Sequence, residues 1–293
     1  MHPHFIDKNS EITINYFDET EFPLILSLPH SGRNYKKNFL SQINIDIDEL
    51  RISEDIYLDK LFSECLKMPV NSMFAEFPRV YVDVNRERFE ISNEIFNNYP
   101  EKINFLNSDL ANSGIGVIHT NSSNGTFFYN KKINWESYMA RLESKYDPWY
   151  ESLDKIALKM LEKFSKILIL DCHSMPTQLF NNGKKTNFEF AIGDYNGSSC
   201  SSPIVNFLKE YVTKEGFKVG YNEPFSGKNI LKTFGKPNNG VNAIQLEISK
   251  GLYIDEKNFH LDNIKELQFF LKNLISALSE FIILNEEFLN VAE

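Results

Sequence analysis

Apolar residues in this chain fall into short runs of branched side chains, separated by longer stretches with helical spacing. Pro23-Leu24-Ile25-Leu26-Ser27-Leu28 and Ile167-Leu168-Ile169-Leu170 are runs with little alternation, the pattern of strands buried on both faces of a parallel sheet. Val80-Tyr81-Val82-Asp83-Val84 reads as a further short strand, and two more are predicted at 188–193 and 241–248. Between them, Leu50, Leu58, Leu61, Phe62 and Cys65 recur at mostly helical spacing over Glu49 to Lys67, a pattern that Pro69 ends. Tyr138, Leu142, Tyr146, Leu153, Ile156, Met160 and Phe164 form one stripe of a long helical stretch, which Pro148 should break or kink. Helices follow near 202–215 and over roughly 261–285, the last with Ile264, Leu267, Leu271, Leu274, Leu278 and Ile282 facing the core. Residues 89–134 are polar and Asn-rich, with Pro100, Gly114, Gly116 and Gly125, and read as a long functional loop region. Strands alternate with helices and nothing divides the chain, so the expectation is one α/β domain over residues 1–293.

Composition narrows the function. A hydrophobic content of 42% supports a substantial core, and 25 Phe with 13 Tyr point to an aromatic-rich interior or pocket. The net charge of −9, from 31 basic and 40 acidic residues without a basic cluster, argues against nucleic acid as a partner. Cys65, Cys172 and Cys200 are odd in number and far apart, which fits a reducing compartment rather than a disulfide framework. The N-terminal Met1-His2-Pro3-His4-Phe5 has no cationic segment followed by an apolar one, so no signal peptide is evident. Uninterrupted apolar runs such as Phe281-Ile282-Ile283-Leu284 are too short to span a bilayer. The expectation is a cytoplasmic protein without a membrane partner.

The chemistry concentrates just beyond the strands. In α/β sheets, ligands meet the chain at the carboxyl ends of the strands, and two histidines stand there, His30 and His173, each followed by serine. Asp171 and His173 share parity and leave the same face, while Cys172 points away. Each histidine alone would more often be a structural or surface residue than a ligand; two at the same kind of strand end make a metal site an equal alternative. An open hydrolytic zinc site commonly adds one carboxylate to two histidines, and Glu54 or Asp55 can supply it; spacing does not choose between them. Glu247 lies near the end of the apolar strand 241–248, where a carboxylate is costly unless paired or used; it is either a proton acceptor or an edge glutamate facing solvent. Arg79 and Arg86 bracket one segment and offer planar forks for a carboxylate or an oxyanion, with ion pairing to Asp83, Glu87 or Glu90 the structural alternative. His119 can line the site by way of the long loop. Ser31 and Ser174 lack a nucleophile elbow.

Taken in order, Leu28 to Gly32, Glu54-Asp55, Arg79 to Arg86, Asp171 to Met175, Pro224 to Lys228 and Asn242 to Tyr253 resemble the N-formylglutamate amidohydrolase (N-formylglutamate deformylase) family. No single piece is specific; the ordered set, spanning about residues 25 to 255, is. The family is similar to the zinc carboxypeptidases and aspartoacylase-type deacylases. The resemblance implies a three-layer α/β/α sandwich around a mixed, largely parallel sheet. It implies one Zn2+ or another divalent ion on His30, Asp55 and His173, with Asp171 behind the histidine as an orienting group. It implies Glu247 as general base and proton shuttle, and Arg79 as the group that polarises the scissile carbonyl. Asn85 and Arg86 would grip a carboxylate of a small N-acyl amino acid, most plausibly N-formyl-L-glutamate, and Lys232 stands where deformylases often carry an arginine. Pro148-Trp149-Tyr150 replaces a family Pro-Tyr-His, and residues 89–134 follow no family pattern.

Overall fold

The computed structural model describes residues 6–7, 10–122, 124–181, 184–262 and 264–285. Eight strands form one sheet: β1 (Ile6–Asp7), β2 (Ile12–Asn15), β3 (Leu24–Leu28), β4 (Asn71–Ala75), β5 (Ile167–Met175), β6 (Phe190–Gly193), β7 (Val219–Tyr221) and β8 (Val241–Ser249). Their order is β1-β2-β4-β3-β5-β8-β6-β7. The central β4, β3, β5 and β8 are mutually parallel, β2 and β6 run antiparallel to their inner neighbours, and the sheet is therefore mixed.

Alternation along the central strands separates two cores. Ile25, Met73, Ile167, Ile169 and Ala243 face one cluster, packed against Trp149, Leu153, Ile156 and Met160 of helix Asp147–Leu161. Leu24, Leu26, Leu28, Leu168, Leu170, Cys172, Ile244, Leu246 and Ile248 face the other. There they meet helix Ser202–Lys214 through Ile204 and Leu208, and helix Lys265–Leu284 through Leu271, Leu274 and Leu278. This is the expected α/β/α sandwich, and it explains why these strands read as unbroken apolar runs. Among the described residues, Lys265–Leu284 alone is long and apolar enough to cross a membrane by length and composition; its apolar stripe packs on the sheet.

The site grows out of one of these faces. Following Ile25 on β3, Ile169 on β5 and Ala243 on β8, the next residues on the same face are Ser27, Asp171 and Gln245. The sheet register aligns them, Ser27 with Asp171 and Asp171 with Gln245, and one row further His173 lies opposite Glu247. The carboxyl halves of three parallel strands thus turn polar at the same level, on the face where helix Asp147–Leu161 packs lower down.

Two sequence expectations change. Val80–Val84 is not a strand: it is a buried, irregular turn segment, whose Tyr81 N–H bonds Pro78 O and whose Asp83 N–H bonds Val117 O. The strand in this region is β4, which lacks β-branched residues and escapes a propensity reading. The helix expected over Glu49–Lys67 is two short ones, Ile47–Arg51 and Leu58–Leu61. They part because the Asp55 N–H leaves the helical ladder for His30 O at 3.1 Å and Tyr57 turns left-handed at φ 59°. Pro148 acts as expected: Trp135–Arg141 passes through a π-turn at Leu142–Tyr146 before Asp147–Leu161 begins, because proline has no N–H to continue the ladder. The described residues of 89–134 hold only short helical turns and isolated bridges, as the loop reading anticipates.

Leu246 is fully buried on the central β8, and Leu284 is 71% exposed. Leu246→Ala is expected to lower unfolding stability by about 2–5 kcal/mol, and Leu284→Ala by less than about 0.5 kcal/mol, as read by denaturant titration.

Candidate active site

Three side chains meet at the ends of β3 and β5. His30 follows β3, His173 lies on β5, and Asp55 sits in the break between the two short helices. Their ligand atoms all lie within 4.8 Å of one another, and all three are buried. The loop after β3 is seated by a close backbone approach. A Cβ on Gly32 would lie 2.1 Å from Phe77 O, so only glycine lets the segment leading to Arg79 and Asp83 pass against His30.

Each imidazole has its outer nitrogen fixed by a carboxylate. His30 Nε2 lies 2.8 Å from Asp83 Oδ1, and His173 Nε2 lies 2.7 Å from Asp171 Oδ2. A carboxylate only accepts, so both Nε2 atoms carry protons. The inner Nδ1 atoms then face Asp55 Oδ2, at 3.5 Å from His30 and 3.1 Å from His173. His30 Nδ1 is buried without a hydrogen-bond partner. An orphaned inner nitrogen, a second one beside it and a carboxylate oxygen between them are the donor set of a two-histidine, one-carboxylate metal site, with the outer carboxylates in the orienting positions such sites use. These residues fit a divalent cation.

Electrostatics point the same way. Burial alone would raise the Asp55 carboxyl, but the His173 and His30 imidazoles beside it hold it well below the usual range. Burial alone would lower His173, but Asp171 and Asp55 lift it well above the usual imidazole value. The cluster thus stabilises positive charge. Glu54, the alternative ligand, turns away: its carboxylate accepts from Tyr35 Oη at 2.5 Å and Arg51 Nε at 3.5 Å.

The predicted groups around this cluster line a cavity of 600 Å³, together with His30, Asp55 and His173: Arg79, Asn85, Arg86, His119 and Glu247. Glu247 accepts from Gln245 Nε2 at 2.8 Å. Burial pushes its pKa up to about 7, the charges of Asp55 and Asp171 adding to the rise and those of His173 and Arg79 opposing it. It is a central-strand residue, not an edge glutamate facing solvent. Asp83, fully buried, gathers His30, Arg79 Nε at 2.9 Å, the Asn85 N–H at 2.9 Å and His119 Nε2 at 3.4 Å. Burial lowers His119 to about 4, so it is neutral. The Asn85 side chain points back into the sheet ends, its Nδ2 donating to Asp171 Oδ2 at 3.2 Å and its Oδ1 accepting the Ile230 N–H at 3.0 Å. It supports the histidine rather than standing free for a ligand. Arg86 is buried with its N–H groups on the carbonyls of Ile115 and Asn85, 3.3 Å each.

Lys232 is not brought here. Its ammonium pairs with Glu87 at 2.5 Å with the side chain 48% exposed, outside the cavity lining. Two other lysines are brought in. Lys250 donates to Glu54 O at 2.6 Å and Ile52 O at 3.4 Å, bracing the loop that carries Asp55, and Lys228 stands at the rim. Both occur in segments that carry the family resemblance, but no spacing marks them as site residues. Cys172 faces the opposite core, and burial raises its thiol pKa well above the ordinary range.

Residues 22–254 match the family model described as N-formylglutamate amidohydrolase. The chain belongs to this family. All of these site residues from His30 to Lys250 lie inside the matched span, and the N-formylglutamate amidohydrolase family places the protein among the amide-bond hydrolases. It is similar to N-formylglutamate deformylase of Pseudomonas putida, 23% identical over 89% of this chain and 94% of the relative. It is also similar to that of Pseudomonas aeruginosa, 22% identical over 82% and 85%. The fold is shared with N-formylglutamate amidohydrolase from Ralstonia eutropha, at a TM-score of 0.87 and 24% identity over 94% of this chain and 99% of that one. A gene product of Agrobacterium tumefaciens aligns at a TM-score of 0.67 and 15% identity over 96% and 100%.

A buried carboxyl with a raised pKa takes up protons on folding, so its contribution to stability is present below the unfolded value near 4.5 and is lost as pH rises through about 7. Glu247→Gln is accordingly expected to raise the unfolding free energy of the metal-free protein at pH 8 by roughly 2–3 kcal/mol. The gain should shrink toward zero near pH 5, as measured by denaturant titration across that range.

Proposed function

We propose that the protein hydrolyses N-formyl-L-glutamate to formate and L-glutamate, using one Zn2+ or a similar divalent ion held by His30 Nδ1, Asp55 and His173 Nδ1. The observation that carries the reading is the convergence of two lone-pair nitrogens on one buried carboxylate, with Glu247 opposite His173 across the strand pair. The deformylase relatives support the choice of substrate. When bound, the ion supplies Lewis acidity, lowering the pKa of a water and polarising the amide carbonyl.

The rest is done by the chain itself. Glu247, poised near neutral pH by burial, accepts the proton of the attacking water as the new C–O bond forms, and returns it to the nitrogen as the amide C–N bond then breaks. Arg79 is held by Asp83 and shares the cavity with Glu247, where its guanidinium offers N–H donors to charge developing on the carbonyl oxygen. Among the described residues Arg86 hydrogen-bonds only carbonyls, and so keeps its charge for a substrate carboxylate. Neutral His119 closes the wall behind Asp83.

A cavity of 600 Å³ also has room for longer acyl groups, which favours a second reading as a deacylase of other N-acyl amino acids or a carboxypeptidase-like enzyme. Comparing turnover of N-formyl, N-acetyl and N-succinyl glutamate with that of a dipeptide separates the two. Glu247→Gln is expected to lower kcat by about 10²–10⁴-fold with bound zinc retained. His173→Ala is expected to lose both zinc and activity, followed by metal analysis of the purified variants. Zinc binding and full turnover in both variants would overturn the proposal.

A further inference from the structure

Two cations face the cavity from adjacent backbone segments, and among the described residues neither is paired with a carboxylate. Arg86 is buried in the wall, and Lys228 stands at the exposed rim of the same cavity. Their separation is fixed by hydrogen bonds between the two segments. The Ile230 N–H donates to Asn85 Oδ1 at 3.0 Å, the Asn229 N–H to Asn85 O at 3.5 Å, and Asn229 Nδ2 to Arg86 O at 3.0 Å. Asn229 Nδ2 also reaches the hydroxyls of Tyr146 at 2.9 Å and Tyr150 at 2.6 Å. Gly227, at φ 101°, makes the left-handed turn that delivers Lys228 to this position.

Asp83 favours the charge of Arg86, and the carboxylate whose field reaches both cations is Glu90. It accepts from Ser108 Oγ at 2.6 Å and from the Glu87 N–H at 3.2 Å, and it bridges neither. Burial lowers the pKa of Lys228, and the Arg86 charge lowers it further. Two like charges held beside one cavity with no counter-charge between them are unfavourable in the ligand-free protein. An anion entering that space removes the cost.

We infer that Lys228 is the specificity residue for the side-chain carboxylate of a dianionic N-acyl amino acid, with Arg86 taking the other carboxylate. The assignment rests on the proposed reading for the orientation of the substrate, not for the binding of a dianion. The residue types suit the two tasks. The planar fork of a buried arginine matches a carboxylate held rigidly next to the scissile amide, and the compact ammonium of a mobile lysine can follow a flexible side chain. A neutral carboxamide in place of the second carboxylate leaves the ammonium unpaired, so discrimination is by charge rather than shape.

The test compares kcat/KM for N-formyl-L-glutamate and N-formyl-L-glutamine in the wild type, Lys228→Met and Lys228→Arg. A wild-type preference for glutamate of about tenfold should collapse toward unity in Lys228→Met, through KM, and return in Lys228→Arg. In parallel, calorimetry compares glutarate with pentanoate, a dianion with a monoanion of the same length. The wild type should prefer glutarate by about tenfold, less at high salt, and Lys228→Met should not. If no N-formyl substrate is turned over while the glutarate preference still depends on Lys228, the proposed reaction falls and this assignment stands. A preference ratio that is unchanged in Lys228→Met, in either measurement, overturns it.

Discussion

The site depends on where two imidazole protons go. His30 and His173 each give their Nε2–H to a buried aspartate, Asp83 and Asp171, and a neutral imidazole has only one such proton. The inner face is left with two lone pairs opposite the Asp55 carboxylate. Three electron-rich atoms at this distance repel one another unless positive charge sits among them. In the metal-free chain a proton on His173 does this, favoured by the charges of Asp171 and Asp55 that raise that residue's pKa. A divalent cation satisfies the same atoms with more charge, so proton and metal compete for one place.

That arrangement concentrates charge where an α/β protein is otherwise most apolar. Asp55, Asp83, Asp171 and Glu247 are all buried around His30 and His173. Such a cluster holds its geometry only because the strands below it are locked. Ile25, Ile169 and Ala243 sit on the same face at the preceding positions, inside a packed core, so the polar rows cannot slip without exposing that core. Arg79 partly neutralises the group through Asp83. Among the described residues Glu247 has no such salt bridge, and burial keeps it poised near neutrality. The stability lost there gives a base that can both take and return a proton near pH 7.

The sequence made the sheet legible where burial alone dictates residue choice. Ile167 to Leu170 and Leu24 to Leu28 are apolar on both sides because both sides are covered. It misled where long-range contacts override local preference. Val80 to Val84 alternates like a strand, yet its valines fill a core while Asp83 and the Asn85 backbone are drawn toward His30. Nothing within a few residues signals that pull, because the partner is 53 positions away. The helix break before Leu58 has the same origin, since Asp55 N–H is claimed by His30 O. Of the site, His30 and His173 were visible as histidines past apolar runs, and Asp171 by its parity. The choice of Asp55 over Glu54 came only with the family pattern. The family pattern points to Lys232 in the pocket, but Lys228, which precedes the short helix Asn229–Phe234, lines it instead; one helical turn is below what residue spacing resolves.

Asn85 shows why the anion-facing wall and the metal-facing cluster form one unit. Its amide N–H₂ supports Asp171, which fixes the His173 tautomer, while its carbonyl oxygen takes the Ile230 N–H and so holds the segment bearing Lys228. The next residue is Arg86. A shift of Asn85 would therefore move an orienting carboxylate, one cation and the anchor of the other together. Sites that must hold a small substrate's reacting amide and its charged ends in one fixed relation gain from such coupling, because a misplacement of about 1 Å is enough to lose much of the rate. The irregular backbone from Arg79 to Arg86 is what permits it. A strand would put Arg79, Asp83 and Asn85 on one face and send Arg86 to the other, whereas these turns bring Arg86 to the same cavity as Arg79 and Asn85.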